Sequence, residues 1–150
     1  MRLGERAGGH MTDQSSRRRA TSEVVREEVE LRIPADSAYL SVLRTATAGL
    51  AARLDFTLDE IEDLRIAVDE ACALLLPDVV PGGGLVCRFG LEPTAIEVTV
   101  LAETRSGAAP TRDNFAWTVL TALAGEVETW VDDQTVVIRL HKSRAGAAGQ

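Results

Sequence analysis

The sequence predicts an α+β fold, a two-layer sandwich in which a mainly antiparallel sheet carries three helices on one face. Two long stretches with apolar residues at helical spacing, 36–54 and 57–76, follow one short stretch that alternates between apolar and charged residues. Two pairs of alternating stretches, within 85–101 and 127–140, enclose a third helical stretch. Strands that follow one another through short turns pair antiparallel, so this order favours a sheet with its helices on one side.

The first strand and the first helix are predicted at the start of this region. Apolar and charged residues alternate from 28 to 33 and Pro34 ends the alternation, which is typical of a half-buried strand. A helix follows from Asp36 or Ser37, since either side chain can cap it, to Leu54. Arg44 lies at the edge of the apolar face of this helix.

The second helix, from Thr57 to Leu76, combines a clear start, an apolar face and a candidate functional residue. Thr57 and Glu60 have the spacing of a capping box, in which each side chain accepts a hydrogen bond from the other residue's amide. The predicted apolar face comprises Ile61, Leu64, Val68, Ala71 and Leu75. Glu70 stands among the apolar residues of the second half, where a charged side chain calls for an explanation.

The remaining elements are two strand pairs around a short helix. The strands 85–91 and 95–101 form a predicted hairpin, and the loop 102–113 that follows shows no periodicity. Asn114 begins a helix that runs to Ala124. Its predicted apolar side comprises Phe115, Val119 and Leu123. The strands 127–131 and 135–140 close the domain.

The predicted domain covers residues 28–140, between a disordered N-terminal tail, 1–27, and a disordered C-terminal tail, 141–150. Both tails are rich in small and polar residues, which bury too little apolar surface to offset the entropy lost on ordering. Met11 is an alternative start, because Gly8-Gly9-His10 is what a purine-rich ribosome-binding site would encode if it were read in frame. Finding Met1 at the N-terminus of the native protein by mass spectrometry would refute that start.

Charge and hydropathy exclude several classes of protein. No apolar run is long enough to cross a bilayer and the basic N-terminus lacks the apolar centre of a secretory signal, so we expect a cytoplasmic protein. Residues 28–140 hold 8 basic and 19 acidic residues, a charge that repels phosphate and argues against direct nucleic-acid binding. Such a domain suits a basic protein partner, although acidic surfaces also serve solubility alone.

Cysteines and histidines give little support for a metal centre or a catalytic triad. Cys72 and Cys87 stand in a predicted helix and a predicted strand without a C-x-x-C pairing, so we expect buried free thiols. His10 and His141 lie in the predicted tails.

Four segments closely resemble one protein family. They are the strand at 29–34, the pair Leu43-Arg44, the run Asp59-Glu60-Ile61-Glu62-Asp63-Leu64-Arg65-Ile66-Ala67-Val68-Asp69-Glu70-Ala71-Cys72, and the segment 120–127. The resemblance is to the RsbW-type anti-sigma factors, which are bacterial serine-protein kinases on the histidine-kinase-like ATPase fold, and in particular to their short actinobacterial branch. It covers nearly all of residues 28–140, and the run from 59 to 72 is close to a family signature.

The resemblance implies a set of site positions for ATP and Mg²⁺. In the family a glutamate of the central helix supports attack by a serine hydroxyl and an asparagine four residues later holds Mg²⁺. An Asp-x-Gly segment reads the adenine, and a Gly-x-Gly turn lets the backbone approach the phosphates. Mg²⁺ needs oxygen ligands and a close backbone approach needs residues without side chains, so each position has a chemical reason.

This sequence departs from that pattern at most of these positions. Glu70 matches the catalytic glutamate, but Leu74 replaces the metal-binding asparagine. The Asp-x-Gly position reads Ala102-Glu103-Thr104, and the Gly-x-Gly position reads Asn114-Phe115-Ala116. Glu103 is a poor substitute for the lost aspartate, because neighbouring side chains along a strand point to opposite faces. We therefore expect no ATP or Mg²⁺ cofactor, and we expect Glu70 to pair with a basic group or to line a water-filled remnant of the pocket.

Two further residues have roles that the resemblance suggests. Arg44 matches a helix-one arginine that the family uses to contact sigma factor and antagonist, while a solvated surface charge is the alternative interpretation. Trp117 replaces a smaller residue of the glycine-rich turn, so we expect it to fill the space that the nucleotide phosphates would occupy.

The resemblance implies an anti-sigma factor that sequesters a stress or sporulation sigma factor and is countered by an anti-anti-sigma antagonist of the STAS type. It also implies a homodimer formed through the sheet and first-helix region. We expect a binding protein without kinase activity. An active serine kinase that phosphorylates the antagonist and a small-molecule sensor that uses the remnant pocket remain alternatives.

Overall fold

A computed structural model describes residues 26–146, and it contains five strands and three α-helices within that range. Residues 1–25 and 147–150, with most of the predicted N-terminal tail and the alternative start at Met11, lie outside the described residues. The elements are β1 Glu27–Pro34, α1 Leu40–Arg53 with a 3-10 turn at Ser37–Tyr39 before it, α2 Leu58–Leu75, β2 Gly84–Glu92, β3 Ala95–Glu103, α3 Phe115–Ala124, β4 Glu126–Asp132 and β5 Thr135–Ser143.

The strands form one sheet in the order β1-β2-β3-β5-β4, and every neighbouring pair is antiparallel. The three helices pack on one face of it, which confirms the predicted α+β sandwich. The opposite face, called here the open face, is lined mainly by charged side chains, because side chains alternate between the two faces of each strand.

The core lies between α2 and the middle of the sheet. Leu64, Val68 and Ala71 of α2 have no exposed surface and Leu75 is 2% exposed, as the apolar spacing predicted. Full burial of a leucine or valine side chain contributes about 1.5 to 3 kcal/mol, so this face fixes α2 against β3 and β5. The helices α1 and α3 then pack on either side of it.

The start of α2 has the predicted capping box. The Thr57 side chain accepts a hydrogen bond from the Glu60 amide at 3.1 Å, and the Glu60 carboxylate accepts one from the Thr57 amide at 2.8 Å. The second Glu60 oxygen accepts a hydrogen bond from the Ala145 amide at 2.5 Å. Partial burial alone would raise the pKa of Glu60, but the backbone hydrogen bonds from Thr57 and Ala145 outweigh it and lower that pKa.

Two strand boundaries differ from the sequence prediction by two or more residues. The strand β5 continues to Ser143, past the expected limit at residue 140, because residues 141–143 still pair with β3. The strand β3 also pairs with β5 as far as Glu103, whereas a loop was expected from residue 102. Alternation alone did not reveal these extensions, since a neighbouring strand supplies the hydrogen bonds.

The apolar side predicted for α3 is not its most buried side. Phe115 is 81% exposed and Leu123 packs partly buried against the core, whereas the buried residues are Trp117, Leu120 and Ala124. Both sides of this short helix are apolar, so helical spacing did not distinguish them. The side with the large Trp117 ring faces the sheet, where it removes more apolar surface from water.

Both cysteines are buried and free, as expected. Burial raises the pKa of the Cys72 thiol to about 12 and also raises that of Cys87, so both are protonated at neutral pH and poorly reactive. Within residues 26–146, no helix has the length and apolar character needed to cross a membrane.

We expect the protein to become less stable when the cap at Thr57 is removed. We expect Thr57→Ala to lower the free energy of unfolding by about 1 kcal/mol, because the Glu60 amide loses its acceptor. Urea denaturation followed by circular dichroism measures this change. Thr45→Ala on the exposed side of α1 is the control, with an expected change within about 0.5 kcal/mol. Equal midpoints for Thr57→Ala and the wild type would show that the cap does not stabilise α2.

Candidate functional site

The site implied by the sequence lies on the second half of α2 and on the loops beside it. Asp69 and Glu70 are consecutive residues of this helix, so their side chains point to different sides. Asp69 points toward α1, where Arg44 Nη1 lies 3.2 Å from one carboxylate oxygen and 3.0 Å from the other. About a third of each of these two side chains is exposed. Arg44 is therefore held at the seam between α1 and α2 and is not a freely solvated charge.

Glu70 is partly buried, and within residues 26–146 its carboxylate makes no hydrogen bond or ion pair. The predicted pairing with a basic group is thus not found in that part of the chain. A partly buried carboxylate without a partner costs stability, since it loses solvent without gaining a hydrogen bond. Glu70 is for this reason the α2 residue whose presence the fold explains least.

Leu74 lies one turn after Glu70 on the same helix and packs against the hydrophobic core. It stands where the resemblance places a metal-binding asparagine, and a hydrocarbon side chain offers Mg²⁺ no oxygen ligand. No set of three or more histidine, cysteine, aspartate or glutamate residues in the described range is arranged to hold a metal ion. The donor groups present here therefore do not fit Mg²⁺.

The end of β3 occupies the position implied for adenine recognition. Ala102 is buried in the core at 3% exposure, while Glu103 is exposed on the other face. This alternation is the one that made Glu103 a poor replacement for the missing aspartate. The Thr104 hydroxyl donates to the Gln134 carbonyl at 3.3 Å and accepts a hydrogen bond from the Gly107 amide at 2.9 Å. A methyl group and an already engaged hydroxyl do not fit an adenine amine.

A network of polar contacts, called here the loop junction, ties the segment 104–107 to two other parts of the fold. The Arg105 amide donates to the Asp78 carbonyl at 2.8 Å, and the Ser106 hydroxyl makes a short hydrogen bond to the Asp78 carboxylate. That hydrogen bond is the main cause of the lowered pKa of Asp78. Gln134 Nε2 donates to the Thr104 carbonyl at 3.0 Å. The segment after β3 is thereby fixed to the 3-10 turn Leu76–Asp78 that follows α2 and to the β4–β5 turn.

Sequence reasoning did not identify the loop junction. Its members are separated by about 30 positions along the chain, and no local pattern relates Asp78 or Gln134 to Thr104. Gly107 was the one residue whose type could have indicated this network from the sequence. It has φ of +64°, a conformation that favours glycine, and a Cβ there would lie 2.8 Å from Gln134 Oε1, so the Gln134 side chain would have to shift.

The implied Gly-x-Gly position is the beginning of α3. The Asn114 side chain caps the helix by accepting a hydrogen bond from the Trp117 amide at 2.9 Å, as the sequence predicted for the helix start. Ala116 lies in the first turn and is partly buried. Trp117 is 7% exposed in the core, with the Arg112 guanidinium 5.2 Å from its ring centroid. That Trp117 fills space used by phosphates in the family stays a prediction.

The open face carries an arginine that the sequence had assigned to the tail. Arg26 Nη1 contacts Glu92 at 3.1 Å, and Nη2 contacts Glu97 at 3.0 Å, although Glu97 lies two strands away on β3. The guanidinium crosses β2 over Gly90, where a Cβ would lie 2.5 Å from Arg26 Cζ. Gly90 thus leaves room for this ion-pair network, and the open face is consequently polar near its centre.

Comparisons with known proteins were made for the sequence and for the fold. No family model matches the chain. The anti-sigma-F factor RsbW of Mycobacterium tuberculosis strain H37Rv is 37% identical over 130 residues, which cover 83% of this chain and 74% of that protein. The serine-protein kinase RsbW of Bacillus subtilis is 37% identical over 78 residues, about half of each chain (50% and 49%). A crystal structure of RsbU and RsbW domains from Mycobacterium tuberculosis has the same fold, with a TM-score of 0.64, 13% identity, and coverage of 79% of this chain and 32% of that one.

We expect substitutions at the two adjacent carboxylates of α2 to have different effects on the free energy of unfolding. We expect Glu70→Gln to leave the free energy of unfolding unchanged or to raise it, because this carboxylate has no partner among the described residues. Asp69→Asn weakens the ion pair with Arg44, so we expect a loss of about 0.2 to 1 kcal/mol. Urea denaturation of both variants at pH 7 tests the pair. A loss of more than about 1 kcal/mol in Glu70→Gln would show that Glu70 supports the fold.

Proposed function

Because this chain belongs to the RsbW family of anti-sigma factors and serine-protein kinases, we propose that it binds an alternative sigma factor and holds it away from transcription. The observation that carries the proposal is the 37% identity to an anti-sigma-F factor over 83% of the chain. A match of that extent in a chain of 150 residues necessarily includes α2. The proposal thus rests on the body of the domain, with its central helix.

The charge of the domain supports a basic partner. Residues 28–140 carry 19 acidic and 8 basic residues, and a protein surface that binds DNA is basic because it contacts the phosphates. Opposite charges speed association and favour the correct partner over others. We therefore expect the complex to weaken as salt screens these charges.

Three further parts of the proposal follow from the family. An anti-anti-sigma antagonist of the STAS type competes for the domain, and the complexes form in the cytoplasm.

The chain also forms a homodimer, for which the open face of the sheet, left uncovered by the helices, offers the area. Sedimentation equilibrium tests the dimer, since a single species with the mass of one chain at micromolar concentration would exclude it.

The main alternative is an active serine-protein kinase. It is favoured by Glu70, whose carboxylate is unpaired within residues 26–146, and by the relatives that are named serine-protein kinases. Leu74, Ala102 and Thr104 oppose it, because none of them offers the group that ATP or Mg²⁺ needs. Incubation with radiolabelled ATP and the antagonist separates the two functions. We expect no transfer of phosphate, and labelled antagonist would establish the kinase.

Binding to a sigma factor is tested with the purified full chain. We expect at least one alternative sigma factor of the organism that encodes it to be retained at 50 mM NaCl, and retention to fall at 500 mM NaCl. The housekeeping sigma factor of the same organism is the control and should not be retained. If none of the alternative sigma factors is retained at low salt, the proposed function is wrong.

A further inference from the structure

The guanidinium of Arg44 is only partly used by the contact that holds it in the fold. Nη1 lies 3.2 Å and 3.0 Å from the two carboxylate oxygens of Asp69, and Arg44 makes no other side-chain hydrogen bond or ion pair within residues 26–146. A guanidinium has five N–H donors, so those of Nε and Nη2 have no acceptor in the described chain. Nε and Nη2 form one edge of the planar group, and such an edge binds a carboxylate through two parallel hydrogen bonds.

Two other arginines of the fold do not offer this edge to a partner. Nε and Nη2 of Arg139 donate to Glu128 Oε1 at 3.0 Å and 2.6 Å, so the edge is occupied. Arg65 pairs with Glu62 through Nη1 at 2.9 Å, but its Nε is buried without a partner. The unpaired nitrogens of Arg44 are not buried in this way and still reach solvent. Arg44 therefore combines a guanidinium fixed by the fold with an accessible, unpaired edge.

Asp69 fixes Arg44 without occupying that edge. An arginine side chain loses much rotamer entropy when a partner orders it. Here a carboxylate of the neighbouring helix α2 orders the side chain before any partner binds, and about a third of each of the two side chains remains exposed. A group that is already ordered binds at a lower entropic cost. The ion pair thus prepares Arg44 for contact with another molecule.

The part of α1 around Arg44 leaves room for an incoming group. The residues one turn away that flank Arg44 on its outer side are Ser41 and Ala48, and both have short side chains. The helix α1, Leu40–Arg53, contains no aspartate or glutamate. An acidic side chain of a partner can therefore reach Nε and Nη2 without displacing a long side chain and without repulsion from an acidic residue of α1.

The charge of the rest of the domain makes this location selective for a carboxylate. Residues 28–140 hold 19 acidic and 8 basic residues, so a carboxylate of a partner is repelled over most of the surface. The free edge of Arg44 is a place where the same group is attracted. A basic partner that carries one carboxylate opposite Arg44 is thereby fixed in register, since charges across an interface favour one arrangement over others.

We propose that Asp69 is a positioning residue for the binding of the sigma factor. It holds Arg44 through Nη1, so that Nε and Nη2 donate two parallel hydrogen bonds to one aspartate or glutamate side chain of that partner. Such charge-assisted pairs are among the stronger hydrogen bonds in proteins and are specific in geometry. This inference rests on the proposed function and adds to it the role of Asp69 and the chemical group that Arg44 contacts.

Two single variants with the same change in charge test the role of Asp69. Asp69→Asn weakens the hold on Arg44, and the control, Glu62→Gln, removes a carboxylate of the same helix that pairs with Arg65. Affinity for the sigma factor that the wild type retains is measured by calorimetry, after circular dichroism has shown that each variant is folded. We expect Asp69→Asn to bind about fivefold to tenfold more weakly and the control to stay within about twofold of the wild type.

Variants of Arg44 test whether Asp69 acts through it. Arg44→Lys keeps the charge but has no planar edge, so we expect at least tenfold weaker binding with an unchanged salt dependence between 50 and 200 mM NaCl. In an Arg44→Ala background, Asp69→Asn should change the affinity by less than about twofold, because no guanidinium is left to position.

Several outcomes would overturn the inference and leave the proposed function intact. They are equal affinities of Asp69→Asn and Glu62→Gln, wild-type affinity of Arg44→Lys, and the same loss from Asp69→Asn with and without the Arg44 guanidinium. A loss of stability in Asp69→Asn without a loss of affinity would assign Asp69 to helix packing alone and also overturn it. Absence of wild-type binding to every alternative sigma factor would remove the proposed function and this inference with it.

Discussion

The burial of one side of α2 against the centre of the sheet is the constraint on which the rest of the structure depends. Leu64, Val68, Ala71 and Leu75 are almost fully removed from water there, and this burial contributes several kcal/mol to the stability of a fold whose net stability is of order 10 kcal/mol. Once that side is fixed, every other position of α2 has a defined neighbour. One flank meets α1, the other meets α3, and the remaining side faces outward.

This geometry also gives the surroundings of the positions that the resemblance assigns to ATP and Mg²⁺. Leu74 and Ala102 add to the core, Thr104 supports the loop junction, and Asn114 caps α3. Each of these residues, which the resemblance assigns to the nucleotide site, makes contacts within the fold. The same helix retains Glu70, which has no such structural use among the described contacts.

The acidic residues of the domain fall into two groups with different consequences. Those that pair with arginines, such as Asp69 with Arg44 and Glu97 with Arg26, fix helices and strands relative to one another. The carboxylates of Asp59, Asp63 and Glu70 on α2 pair with no residue in the range 26–146. The net charge of the domain does not by itself identify a binding surface, because some of its acidic side chains are paired within the fold.

The sequence by itself determined the fold class, the order of the elements, the capping box at Thr57 and the buried side of α2. These features depend on local hydrogen bonds or on a single periodic pattern, and one stretch of chain contains all the information they require. The site positions at Glu70, Leu74 and Ala102 come from the resemblance and stay predictions. Only the tertiary structure decided which apolar side of α3 is buried, where β3 and β5 end, and that Arg26 crosses Gly90 to reach Glu97. The partners in those contacts are distant in sequence, so no local pattern encodes them, and their energies exist only once the sheet has brought them together.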